Sequence, residues 1–85
     1  MVENAVLTAW EFPQDVVSGV PKITILGKES VTVENFVSLL EYNRENIRLK
    51  FADGVIDISG NDLEICAIDE GNITISGKIE SVRFI

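Results

Sequence analysis

Three pentapeptides of nearly the same wording recur along the chain: Ile23-Thr24-Ile25-Leu26-Gly27, Ile56-Asp57-Ile58-Ser59-Gly60 and Ile73-Thr74-Ile75-Ser76-Gly77. Each alternates apolar and polar residues and closes on glycine. Successive side chains of a strand point to opposite faces. The two isoleucines of each copy are therefore expected in a core, with Thr24, Asp57 and Thr74 in water. β-Branched residues suit such a half-buried pleated surface. Gly27, Gly60 and Gly77 supply the positive φ of a tight turn or bulge.

The rest of the chain follows the same grammar. Val31-Thr32-Val33 alternates after the turn Gly27-Lys28-Glu29, and residues 39–42 read as a short strand. Ile47-Arg48-Leu49-Lys50-Phe51 is the clearest alternation, and Ala52-Asp53-Gly54 after it reads as a hairpin turn. Gly60-Asn61-Asp62 reads as a turn into Leu63-Glu64-Ile65-Cys66, and residues 69–72 as a turn into Ile73. A final strand runs over 79–85, with a bulge near Glu80-Ser81 where the apolar parity shifts.

This gives about seven or eight short strands, and loops this short join antiparallel neighbours. The second and third phrases start seventeen residues apart, at 56 and 73, the length of one hairpin unit. The expected fold is all-β: an antiparallel meander forming a small barrel or sandwich. A short β-solenoid is the alternative, because a similar period can describe one coil. The whole chain, 1–85, reads as one β domain: a lid segment over 1–20 and the meander over 21–85. Within the lid, Val2, Val6, Leu7 and Trp10 fall at helical spacing, Phe12-Pro13 interrupts them, and Gly19 and Pro21 end the segment.

Composition limits function. Fourteen acids against seven bases give a net charge of −7. Nucleic-acid binding draws its affinity from Lys and Arg on phosphates, so no nucleic-acid partner is expected. Anionic lipid is disfavoured for the same reason, and no apolar run nears the roughly 20 residues that span a bilayer. No secretory signal is read at the N-terminus, and a lone cysteine, Cys66, fits a reducing, cytoplasmic setting.

Nothing in the pattern points to catalysis. The chain has no histidine, which removes the commonest general base and metal ligand. Cys66 lacks a nearby base to activate it. Asp53, Asp62, Asp69 and Glu70 sit in expected turns, where acids cap local N–H groups, and none has calcium-loop spacing. No enzyme activity, cofactor or metal is expected. Arg44, Arg48 and Lys50 share parity and, with Tyr42, form a candidate anion or ligand face. The plainer reading is a solvated strand face balanced by cross-strand acids such as Asp57 or Glu41. Trp10, Phe12 and Phe84 are the candidate interaction residues, because aromatic anchors dominate interface energies. An unpaired sheet edge is a candidate route to a homo-oligomer. The alternative function is a small-ligand or carbohydrate-binding β domain, which requires a pocket lined by residues such as Tyr42, Arg44 and Arg48.

Several runs, in this order, resemble one family: Pro13-Gln14-Asp15-Val16-Val17, Val20-Pro21-Lys22-Ile23-Thr24-Ile25-Leu26-Gly27 and Val33-Glu34-Asn35, followed by Leu40-Glu41-Tyr42 and Ile47-Arg48-Leu49. Gly54-Val55-Ile56-Asp57-Ile58-Ser59-Gly60-Asn61-Asp62-Leu63 and Gly77-Lys78-Ile79-Glu80-Ser81-Val82 continue the likeness. They resemble the YabP/YqfC family of sporulation proteins of endospore-forming Firmicutes, and the YqfC branch in particular. Phe36-Val37-Ser38 departs from the more polar, glycine-containing stretch of that family. The resemblance implies a small, non-enzymatic accessory protein made during endospore formation, in the mother-cell cytoplasm. It also implies a protein partner, with a sporulation membrane protein as the candidate. It transfers no catalytic residue.

Overall fold

The structure, a computed structural model, describes residues 20–85. These residues form one antiparallel sheet of six strands: β1 (Lys22–Leu26), β2 (Ser30–Glu34), β3 (Ser38–Tyr42), β4 (Asn46–Phe51), β5 (Gly54–Asp69) and β6 (Asn72–Phe84). The spatial order is β1-β2-β6-β5-β4-β3. The meander therefore holds from β3 to β6, while the β1–β2 hairpin attaches to the far side of β6. The sheet is open, not a closed barrel, and its antiparallel ladders replace the solenoid alternative. Of the helical lid expected over 1–20, residues 1–19 lie outside the described residues.

Six strands appear instead of eight because two expected strand pairs are continuous. Residues 56–58 and 63–66 lie in one strand, β5, and 73–75 and 79–84 lie in β6. Gly60 and Gly77 do not reverse the chain. They let two long, neighbouring strands bend where their register shifts and their backbones approach closely, and the molecule is only 39 Å long, too short for a straight 16-residue strand. A Cβ on Gly77 would stand 2.5 Å from the Asp62 carbonyl oxygen, and one on Gly60 would overlap the Lys78 carbonyl. Gly77 has φ +136°, a conformation that L side chains rarely adopt. The expected bulge on β6 is present: Ser59 faces Ser81 and Gly60 faces Ile79, which leaves Glu80 as the extra residue. The other hairpin turns on Ala52 and Asp53, and Gly54 already belongs to β5, paired with Phe51.

The bend divides the sheet into two halves that share the long hairpin. The start of β6 pairs with β2 and with the end of β5, and the start of β5 pairs with β4 and with the end of β6. The halves match in register. Ser30, Val31 and Val33 face Ser76, Ile75 and Ile73, as Asn46, Ile47 and Leu49 face Ser59, Ile58 and Ile56. The second and third copies of the phrase thus occupy equivalent places, each entering the bend at its glycine. The turns reinforce it in the same way. Gly77 and Ile79 donate their N–H groups to the carbonyls of Glu29 and Lys28 (3.1 and 2.9 Å). Gly60 and Leu63 donate theirs to the carbonyls of Glu45 and Arg44 (3.1 and 2.9 Å).

Ten buried apolar side chains from both halves form one cluster: Val31, Val33, Ile47, Leu49, Ile56, Ile58, Leu63, Ile73, Ile75 and Ile79. Phe36, part of the family departure, packs against it. The first copy of the phrase behaves differently. It forms edge strand β1, where Ile23 is half-buried and Ile25 is 52% exposed, so only one of its two isoleucines contributes to the core. Asp57, expected in water, is fully buried.

Gly60→Ala and Gly77→Ala are expected to destabilise the protein by about 3 kcal/mol or more, because the added methyl meets backbone that cannot move aside. Gly27 also has positive φ, at +55°, but open space around its Cβ position. Gly27→Ala is expected to cost only about 1–2 kcal/mol. Urea denaturation of the three variants checks the order.

Candidate functional site

The outer face of the β3-β4-β5-β6 half carries one row of charges across four strands. Register sets Glu41 against Arg48, Arg48 against Asp57, and Asp57 against Arg83. The signs alternate along it, the arrangement that cross-strand pairing favours. Asp57 lies at its centre with no solvent exposure, while the side chains of Arg48 and Arg83 are 45% and 65% exposed. One carboxylate oxygen, Oδ1, accepts from Asn46 Nδ2 (2.6 Å) and Arg48 Nε (3.1 Å). The other, Oδ2, accepts from Ser59 Oγ (3.1 Å) and Arg83 Nη2 (3.0 Å). Glu41 lies 4.0 Å beyond Arg48.

Burial alone raises the pKa of Asp57. The hydrogen bonds from Asn46, Arg83, Arg48 and Ser59 more than offset it and lower the carboxyl from 3.8 to about 2. A carboxylate with four donors and so low a pKa is poorly suited to take a proton or attack a carbon near neutrality. What Asp57 does is hold two guanidinium groups at the surface. The equivalent row of the other half, Thr24, Thr32 and Thr74, is uncharged, with Thr32 and Thr74 sharing a hydroxyl hydrogen bond of 3.2 Å.

The other sequence candidates are spread over both faces. Arg48 sits in the charged row, and the acids anticipated near it, Asp57 and Glu41, are its partners. Lys50 lies on the same face two residues on, opposite Val55. Arg44 occupies the β3–β4 turn, 4.0 Å from Asp62 across an exposed pair. Tyr42 faces Ile47, on the apolar side of the sheet, so it does not converge with Arg48. Trp10 and Phe12 lie outside the described residues. Cys66 is exposed, with its thiol 2.9 Å from Ser76 Oγ. A surface depression of about 470 Å³ lies elsewhere, lined by Lys28, Glu29 and residues 77–80. Among the described residues, no group of three or more His, Cys, Asp or Glu side chains is placed to hold a metal.

Phe84 is 64% exposed and makes an edge-to-face contact with Phe51, with centroids 5.7 Å apart at 77°. The Val37 amide donates to the Lys50 carbonyl (2.6 Å), which sets Val37, 63% exposed, across from Phe51. Ile85, its amide bonded to the Val55 carbonyl (2.8 Å), continues β6 with the opposite parity, on the face of Lys50. Val37, Phe51 and Phe84 share the apolar-face parity at one end of this half and form an apolar strip there. The sequence pointed to Phe84 but not to Val37, whose place depends on pairing across a loop.

The model of the YabP family matches residues 18–85. The chain belongs to the YabP family. It is also 35% identical over 77 residues to a Bacillus subtilis (strain 168) protein whose name reads "Uncharacterized protein YqfC". That match covers 91% of this chain and 83% of the relative. The residues matched by the family model include the charged row and the apolar strip of this YabP-family chain. Membership suggests a sporulation-associated protein, and the family is not one of known enzymes.

The pKa of Asp57 fixes a pH dependence. Its folded value lies below its unfolded one. Its contribution is therefore fully present above about pH 4 and is lost as pH falls toward about 2. Asp57→Asn is expected to cost about 2 kcal/mol at pH 7, less than orphaning a fully buried pair because both arginines reach water. The variant should also show a flatter fall in stability between pH 4 and pH 2. Urea titrations of both proteins across that window test it.

Proposed function

We propose that this protein is a non-enzymatic accessory protein of endospore formation that acts by binding another protein. Family membership supports the process, together with the YqfC relative. The observation that carries the binding mode is the apolar strip of Val37, Phe51 and Phe84, at the end of a half whose opposite face is charged. An exposed aromatic, Phe84, seated on a half-buried one, Phe51, and bordered by polar surface has the composition of a protein-docking site. The partner fitted to it is a protein segment with an apolar anchor. The protein works in the mother-cell cytoplasm and docks on the cytoplasmic part of a membrane protein. In this reading membrane association comes through the partner.

Val37→Asp and Phe84→Asp are the test variants. Both side chains are largely exposed, so each change is expected to cost less than about 1 kcal/mol of stability. Tagged wild-type protein from sporulating cells should retain, after cross-linking, a membrane protein that both variants lose. Identical recoveries from all three would remove the strip from the mechanism. Normal yields of heat-resistant spores in a strain lacking the protein would count against the process itself.

A further inference from the structure

Among the described residues, the strand edges left unpaired differ in how well they resist a new neighbour. β3 carries the extra residue Leu40, since Leu39 faces Leu49 and Glu41 faces Arg48, and it presents Glu41. The free end of β5 bulges at Cys66, between Ile65 and Ala67, and carries Glu64 and Asp69. The free end of β6 bulges at Glu80 and carries Lys78, Glu80 and Arg83. Bulges and charges are the devices that stop edges from pairing. β1 has neither between Ile23 and Leu26. It pairs with β2 over five consecutive residues without a shift, and Ile25 and Leu26 are 52% and 69% exposed.

We propose that β1 pairs with β1 of a second copy of this chain, antiparallel, about a two-fold axis at Thr24. This inference goes beyond the docking reading above and uses a different part of the sheet. The occupant is a second copy because Ile23-Thr24-Ile25 reads the same in both directions. Under the two-fold, Thr24 opposes Thr24 of the partner copy and Ile23 opposes the partner's Ile25. Every isoleucine then stays on the apolar face, as an isologous contact requires. Lys22 opposes Leu26, over which its aliphatic stem can lie. On the outer face, the uncharged row Thr24–Thr32–Thr74 runs on into the partner's row. Charge favours this edge too. Two chains of net charge −7 repel one another, and Ile23–Leu26 bring no carboxylate to the contact. An interface of one short strand pair is small, and the dimer belongs among weak, reversible ones.

The test exploits the self-opposition of Thr24. Thr24→Lys places two like charges face to face, and so does Thr24→Glu, while an equimolar mixture of the two restores an opposite pair. Thr24 is exposed on an edge strand, and circular dichroism confirms that each variant stays folded. The mass of the full chain is measured by sedimentation equilibrium in a series reaching about 1 mM, where even weak dimers populate. The wild type should approach the mass of two chains. Each variant alone should dimerise roughly tenfold or more weakly, and the mixture should recover dimer. A wild type that keeps the mass of one chain throughout overturns the proposal. So does a dimer that either variant leaves intact, or a mixture no more associated than its components. Val37→Asp should leave dimerisation unchanged, so failure of the docking strip and failure of the β1 pairing are read separately.

Discussion

The shared bend of the paired strands β5 and β6 is the constraint on which the rest of this sheet depends. Two strands of 16 and 13 residues are too long for a flat sheet this small to use on one face only. Gly60 and Gly77 let the backbones approach where no side chain fits. Both halves of the sheet then contribute to one cluster of isoleucine, valine and leucine. Without the bend, each half would expose an apolar face that a domain of this size has nothing else to cover. The turns of the two outer hairpins brace the bend from opposite sides by the same pair of backbone hydrogen bonds.

Within that frame the two halves differ. Two rows on the inner face are nearly interchangeable, built from Val, Ile and Leu in matched register. The outer rows are not. One is hydroxyl-bearing and neutral, and the other alternates charge around buried Asp57. A buried carboxylate contributes modestly to net stability, but it is demanding about geometry. A slip of one residue between β4 and β5 would turn Arg48 toward the core and leave Asp57 without its donors. The charged row therefore fixes register in the half that also carries the exposed aromatic strip.

Much of this was legible in the sequence. Every observed strand was read as strand, most of them by alternation, which is a local property, although β5 and β6 were each read as two. The Glu80 bulge showed as a break in apolar parity, and the pairing of Arg48 with Asp57 and Glu41 was visible as opposite charges of matching parity. Three features were not legible, each for a reason of distance. Gly60 and Gly77 look like turn glycines, because only the neighbouring strand reveals that they mark a bend. Asp57 looks solvated, because the side chains that cover it come from β4 and β6. Val37 looks like loop, because its neighbour Phe51 is supplied by pairing.

The attachment of the β1–β2 hairpin also has a kinetic consequence. Its bridge to the rest of the sheet is β6, and the contact of Thr32 with Thr74 spans 42 residues of chain. The ladders among β3, β4, β5 and β6 join neighbours in sequence and close short loops. Loop closure costs more entropy as the loop lengthens, so local ladders form before distant ones. The β1–β2 hairpin is thus the last piece to dock. Until it does, Ile73 and Ile75 lack their partners Val33 and Val31. On the ribosome the β1–β2 hairpin is made before β6, so it must wait for that strand before it has a place to go.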